Sequence, residues 1–278
     1  MTYPTHAPDF DWQNALCQTL DNLRSRWPHN WPGLPTVLQA CMNLLWPPPQ
    51  HLAALPQQML AAANAIAEDM EQIANTTVYE PHYHNRLHTA DALVSLCWLI
   101  TALKAGQHSV TDEWAASLLL AVTSHDVLHP GGANSYAQEF EQQSVRLFQQ
   151  HAAAKGVPMQ WTEVVTQLIL RTDPTLVAAN HEKIKDTTFS FNLDWAVVLM
   201  NEADIAASAM ATVGPQLGKQ LASEWAFRQH PLHKVVGTDA GRLQFLSSLR
   251  FSTPASLALQ MPQTVAMQIQ QLKAQLGQ

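Results

Sequence analysis

The sequence predicts an all-α fold, and three observations carry that prediction. Ala, Leu and Gln, all good helix formers, are abundant, while runs of β-branched residues are rare. Glycine is scarce, at 10 residues in 278. Apolar side chains recur at intervals of three and four, the period of a buried helix face. Hydrophobic residues make up 47% of the chain and charged residues 13%, so a sizeable core is expected rather than a disordered chain.

Residues 8–27 read as an amphipathic helix, with Trp12, Leu16, Leu20, Leu23 and Trp27 spaced four, four, three and four. Residues 28–49 are rich in Pro and Trp and end in Pro47-Pro48-Pro49, which cannot continue a helix, so a hard break is expected. A long helix should follow over roughly 52–75. Residues 1–77 therefore read as a helical cap or support for residues 78–278, the two forming one compact unit. Strongly apolar helices are expected at 89–105 and 112–125, the second opened by Thr111 as N-cap with Asp112 and Glu113 in its first turn. Further helices are expected at 136–154, 160–171, 193–212 and 216–228. Thr253-Pro254 marks a restart, a capping residue followed by Pro at the first helical position. The last helix carries Val265, Ile269, Leu272 and Leu276, a stripe suited to docking on the same chain or to a homodimer.

Charge and cysteine content exclude several classes. A net charge of −7 argues against a nucleic-acid polymer as partner, because phosphate backbones need a basic surface. An anionic small-molecule substrate would need locally placed cations such as metal ions. Cys17, Cys41 and Cys97 lie far apart with no C-x-x-C, which fits reduced thiols in a core. The start, MTYPTHAPDFDW, has neither a basic nor an apolar signal region, and no stretch approaches 18 uninterrupted apolar residues. A cytoplasmic protein without a membrane span is expected.

Thirteen histidines make a lone one uninformative, and nine, His6, His151 and His181 among them, show no partner pattern. His84 and His88 differ: four apart at a helix start, they project from one face. His125-Asp126 closes the apolar run LLLAVTSHD, where burial penalises both groups unless a partner such as a divalent cation is supplied. The plainer reading is a helix-end hydrogen-bonded pair. His129 and Asn134 follow around the turn Pro130-Gly131-Gly132. Asp204 sits in the largely apolar LDWAVVLMNEADIAASAM, where a carboxylate is costly unless neutralised. Glu202 is close by, and which of the two faces water stays open. With two histidines and Asp126, Asp204 completes four N/O ligands.

This ordered set, Y83-H-N-x-x-H88, then H125-D-x-x-H-P-G-x-x-N134, then an Asp on a later helix, resembles the class I cyclic-nucleotide phosphodiesterases of the HD phosphohydrolase group, in a divergent, bacterial-type form. The resemblance spans roughly residues 78–252. It implies a multi-helix HD/phosphodiesterase-type catalytic domain that hydrolyses a phosphodiester with the help of metal ions. The expected substrate is a 3′,5′-cyclic nucleotide, released as the 5′-nucleotide. It further implies that His88, His125, Asp126 and Asp204 hold a zinc-like ion, with Asp126 bridging to a second, mostly hydrated magnesium or manganese ion. His84 is implied as the general acid. His129, Asn134, Thr172, Asp173 and Glu141 (or Glu139) are implied around the metals, and Tyr83, Arg242 and Phe245 against the substrate.

The base pocket of that family does not carry over. Its usual Asn three residues after the metal aspartate is Ala207 here, and its base-reading Gln falls on Arg242, with Gln244 nearby. An arginine prefers an anion or a strong acceptor to a neutral amide edge, unless it faces solvent. Another small anionic phosphoester, or a non-catalytic module that keeps the metals, are therefore the alternatives.

Overall fold

The computed structural model describes residues 10–278, and every regular element among them is an α-helix. In chain order these are α1 (Trp12–Ser25), α2 (Leu34–Leu45), α3 (Ala54–Thr76), α4 (Arg86–Ala105), α5 (Asp112–Ser124), α6 (Glu139–Ala154) and α7 (Met159–Leu170). They continue as α8 (Pro174–Ile184), α9 (Leu193–Ala209), α10 (Gly214–Phe227), α11 (His233–Val236), α12 (Asp239–Ser248), α13 (Pro254–Ala258) and α14 (Met261–Gln275). The expected helix start at residue 8 and the reading of His6 lie outside the described residues.

Half of the described helix starts are set by side-chain caps. Asp11 accepts from Asn14 N at 2.9 Å to open α1, and Asn85 accepts from Leu87 N and His88 N to open α4. Thr111 and Thr253 cap α5 and α13 as expected. Two expectations are corrected. The break placed over 28–49 is confined to its ends, because α2 forms inside it: Pro35 falls in the first turn, where a missing N–H costs nothing, and Val37, Leu38, Cys41 and Leu45 are buried. A helix at 174–184 was not anticipated, although Asp173-Pro174 carries the same cap-then-Pro signal as Thr253-Pro254; Asp173 accepts from Thr175 N at 2.8 Å.

Helix α4 is buried on nearly every side and packs against α1, α2, α5 and α9, while α3 lies on α5 and α6. It is long and apolar enough to cross a membrane by length and composition, but here it forms the interior. One continuous apolar cluster runs from Leu16 and Leu20 of α1 through α4, α5 and α9 to Val265 and Leu272 of α14. The helices before residue 77 thus share their core with those that carry the site. Val265, Ile269 and Leu272 of α14 dock on the same chain, against α9, α12 and α13, while Leu276 lies past the helix end and is exposed. Cys17, Cys41 and Cys97 are all free thiols.

Candidate metal centre and active site

Four side chains from three helix regions converge where α4, α5 and α9 meet. His88, one turn into α4, and His125, at the end of α5, point Nε2 at the same two carboxylates. His88 Nε2 stands 3.0 Å from Asp204 Oδ1 and 3.2 Å from Asp126 Oδ2. His125 Nε2 stands 3.3 Å from each of the same two atoms. Donors at about 2.0–2.1 Å from a tetrahedral zinc ion stand roughly 3.3 Å apart, close to these four separations, and His88, His125 and Asp204 each bring a ligand atom within 4.8 Å of the other two. His125 Nδ1 lies 2.7 Å from Val122 O, which ties the proton to Nδ1 and leaves Nε2 with its lone pair. The residues present therefore fit a divalent cation.

The electrostatics agree. Burial disfavours each charge here, but mutual attraction outweighs it. Hydrogen bonds to Asp126 and Asp204 lift His88 to about 9 and His125 above the usual imidazole range. The same contacts hold both carboxylates below theirs. The cluster is thus built around positive charge, supplied by protons when no cation is bound.

Glu202 and Asp204, left undecided by sequence, have separate tasks, and neither simply faces water. Glu202 is fully buried and accepts from Thr253 N at 2.9 Å, from Ser252 N and from the Thr253 hydroxyl, joining α9 to the start of α13.

His84 stands apart from the four donors. Its Nδ1 lies 2.5 Å from Glu224 Oε1, while Glu224 Oε2 accepts from the Tyr83 and His84 backbone N–H groups at 2.8 and 3.0 Å. Glu224 comes from α10, is fully buried, and is held below the usual carboxylate range: burial pushes it up, but the contacts to His84 prevail. Sequence reading missed it. The signal was present, since Glu224 is a lone acid in the apolar run LASEWAF, the same anomaly that marked Asp204. Gly131 makes the approach possible: its φ is +77°, and a Cβ there would meet Glu224 Cγ at 3.0 Å. His129 stacks on His84 with ring centroids 3.8 Å apart and accepts from Gly131 N at 3.1 Å. Burial and the neighbouring His84 push His129 down to about 3, so it is neutral.

A second acidic group borders Asp126. Asn134 Nδ2 donates to Glu141 Oε2 at 2.9 Å, and Asn134 Oδ1 accepts from Phe140 N. Glu141 is raised by burial and then by the charges of Asp173 and Asp126. Glu139 instead accepts from Ser135 N, which makes Glu141 the residue paired with Asn134. Asp173 is held by Gln138 N and by Thr175, and Thr172 Oγ1, in the turn after α7, donates to Ile169 O.

Tyr83, Arg242 and Phe245 line one cleft of about 150 Å³, together with Ser208 and Lys219. The Tyr83 hydroxyl is 2.9 Å from Ser208 Oγ, and its ring centroid is 4.9 Å from that of His88. Arg242 neither faces solvent nor offers a free fork. Its Nη1 donates to Ser208 O at 3.3 Å and its Nη2 to Met210 O at 3.1 Å and to Gln268 Oε1, capping the carbonyl end of α9. Gly214 admits it, since a Cβ there would lie 2.5 Å from Nη1. A further missed residue is Asp91, one turn beyond His88 and buried, which pairs with Arg24 of α1.

Residues 83–155 match the family model described as 3′5′-cyclic nucleotide phosphodiesterase. The matched stretch contains His84, His88, His125, Asp126, His129, Asn134 and Glu141, and ends before Asp204, Glu224 and Arg242. It is shorter than the span of 78–252 over which the motifs suggest a resemblance. No curated protein matches the chain.

Proposed function

We propose, with the phosphodiesterase match over residues 83–155 as premise, that the chain is a metal-dependent phosphodiesterase. Its substrate is a 3′,5′-cyclic nucleotide, opened to the 5′-nucleotide in a reducing, cytoplasmic setting. The observation that carries this reading is the placement of a glutamate-held imidazole, His84, beside a His/Asp donor cluster that does not include it.

His88, His125, Asp126 and Asp204 would hold a zinc ion, and Asp126 would be shared with a magnesium or manganese ion towards Asn134, Glu141 and Asp173. Bound there, the two cations supply an activated water and neutralise the phosphoryl oxygens. The chain's own residues do the rest. Glu224 fixes Nδ1 of His84 and so orients the ring, leaving Nε2 to hold the proton for the departing oxygen. Neutral His129 packs flat on the His84 ring and restricts its rotation without competing for that proton. Tyr83 and Phe245 offer ring faces to the base. Arg242 shapes that cleft from behind, because its donors are engaged by the end of α9.

The test is turnover of cyclic AMP and cyclic GMP by the purified protein loaded with Mn2+ or Mg2+. Release of the 5′-nucleotide supports the reading; no turnover of either, with turnover of a generic diester, removes the cyclic substrate. Ala207 and the engaged Arg242 favour one alternative, hydrolysis of another small anionic phosphoester. A substrate panel in which cyclic mononucleotides far exceed all else would rule that out.

A further inference from the structure

A second cleft, of about 190 Å³, opens on the other side of the Tyr83-His84 pair. His84, Asp126, Ile73, Ala74, Thr77, Tyr79 and Leu128 are among the residues that line it. Tyr83 and His84, adjacent in the chain, thus serve opposite clefts. The acid that protonates a departing oxygen must touch it, so the departing group lies on the side of His84. In a cyclic nucleotide that oxygen stays tethered to the sugar whose base occupies the first cleft. A cyclic substrate therefore leaves the second cleft without an occupant.

We infer that the protein also hydrolyses linear phosphodiesters whose departing alcohol is an uncharged aromatic or nucleoside group, and that this group sits between Ala74, Tyr79 and Leu128. The inference rests on His84 being the acid. Three features set the class of alcohol. First, the one guanidinium on the wall, Arg86, is engaged by Glu80 through Nε at 2.9 Å and Nη2 at 3.0 Å, and by Glu71. With Glu80 and Asp126 lining the same cleft, a departing group bearing its own phosphate is disfavoured. Second, Tyr79 stacks on Phe227 with centroids 4.5 Å apart, giving the mouth a flat aromatic edge. Third, Leu128 is held at a φ of 61°, a region a bulky residue rarely occupies, and is 53% exposed at that mouth. In the reaction the water oxygen bonds to phosphorus and the P–O bond to the alcohol breaks. The electron pair stays on the departing oxygen, which takes the proton from His84. The water's own proton goes to solvent, from which His84 is reprotonated.

The test uses the full chain loaded with Mn2+, thymidine 5′-(4-nitrophenyl) phosphate as linear substrate, and the variants Ala74→Trp and Thr77→Trp, which place an indole in the second cleft. The expected result is hydrolysis of the linear ester, with kcat/KM falling at least about tenfold in either variant while that for the cyclic nucleotide stays within about twofold. Retained cyclic turnover also shows that the variants fold. Equal losses on both substrates, or no loss on the linear one, overturns the inference. Cyclic turnover without linear turnover overturns it too and leaves the phosphodiesterase reading standing. No turnover of any ester takes both away.

Discussion

His84 can hold a proton at one nitrogen because Glu224 holds the other, and this pair can be tested one atom at a time. Glu224→Gln keeps the shape and removes the charge. It is expected to lower kcat roughly 10²-fold with KM and metal content nearly unchanged, as for loss of a general-acid contribution. His84→Ala should be far more damaging for a cyclic nucleotide, whose leaving group is an alkoxide, than for a nitrophenyl ester, whose leaving group needs little protonation; equal losses would remove the acid role. Asp204→Ala should empty the zinc-like site, and elemental analysis finding it full would show that another residue is the fourth ligand. Protons and cation compete for His88, which sits at about 9 without metal. Apparent metal affinity, read by chelator competition, should therefore fall as pH drops below about 9. His84, His88, His125 and Asp126 were legible in the sequence because their relations are local, four apart or adjacent. Glu224 and Asp91 were not, because a lone buried carboxylate declares that it needs a partner without saying which.

At the scale of elements, the site depends on helices being held at fixed separations by polar ties. Arg24 of α1 binds Asp91 of α4 and donates to Gln220 of α10 at 3.2 Å, joining the helix of His88 to the helix of Glu224. Removing one partner of such a buried pair strands the other charge. Arg24→Ala is expected to cost about 3–5 kcal/mol in urea unfolding, and the double variant with Asp91→Asn should recover part of that loss. Capping chemistry made many boundaries readable, Thr111 and Thr253 foremost. Helix α2 was hidden by its prolines and tryptophans, whose composition resembles a loop although Pro35 sits where a helix tolerates it. Helix α12, which carries Arg242 and Phe245, was hidden by weak amphipathicity: only Gly241, Leu243 and Leu246 of its ten residues are buried.

Over the whole molecule, a histidine far from any proposed ligand reports on folding. His181 is buried, with Nδ1 2.8 Å from Ser252 Oγ, and burial, then the charge of Arg250, pushes it down to about 4. Its folded value lies below its unfolded one, so the unfolded chain binds the extra proton first. Its contribution to stability is fully present above about pH 6.5 and is lost as pH falls from there towards 4. Urea midpoints measured between pH 7.5 and 4 should show this slope, and His181→Asn should flatten it; an unchanged slope would place the titration elsewhere. The all-helical class was legible because composition and period are properties of the whole chain. The order in which the fourteen described helices pack was not, because apolar faces specify burial without naming the neighbour.

The link between Glu224 and the Tyr83-His84 backbone spans 140 residues of chain. During synthesis the histidines and Asp126 leave the ribosome long before α10 exists. A chain stopped after residue 155 would carry the whole stretch that matches the family model and still lack the carboxylate that holds His84 Nδ1. On the acid role proposed for His84, a chain truncated before α10 is expected to be inert, with activity appearing only once Glu224 has closed on the Tyr83-His84 backbone.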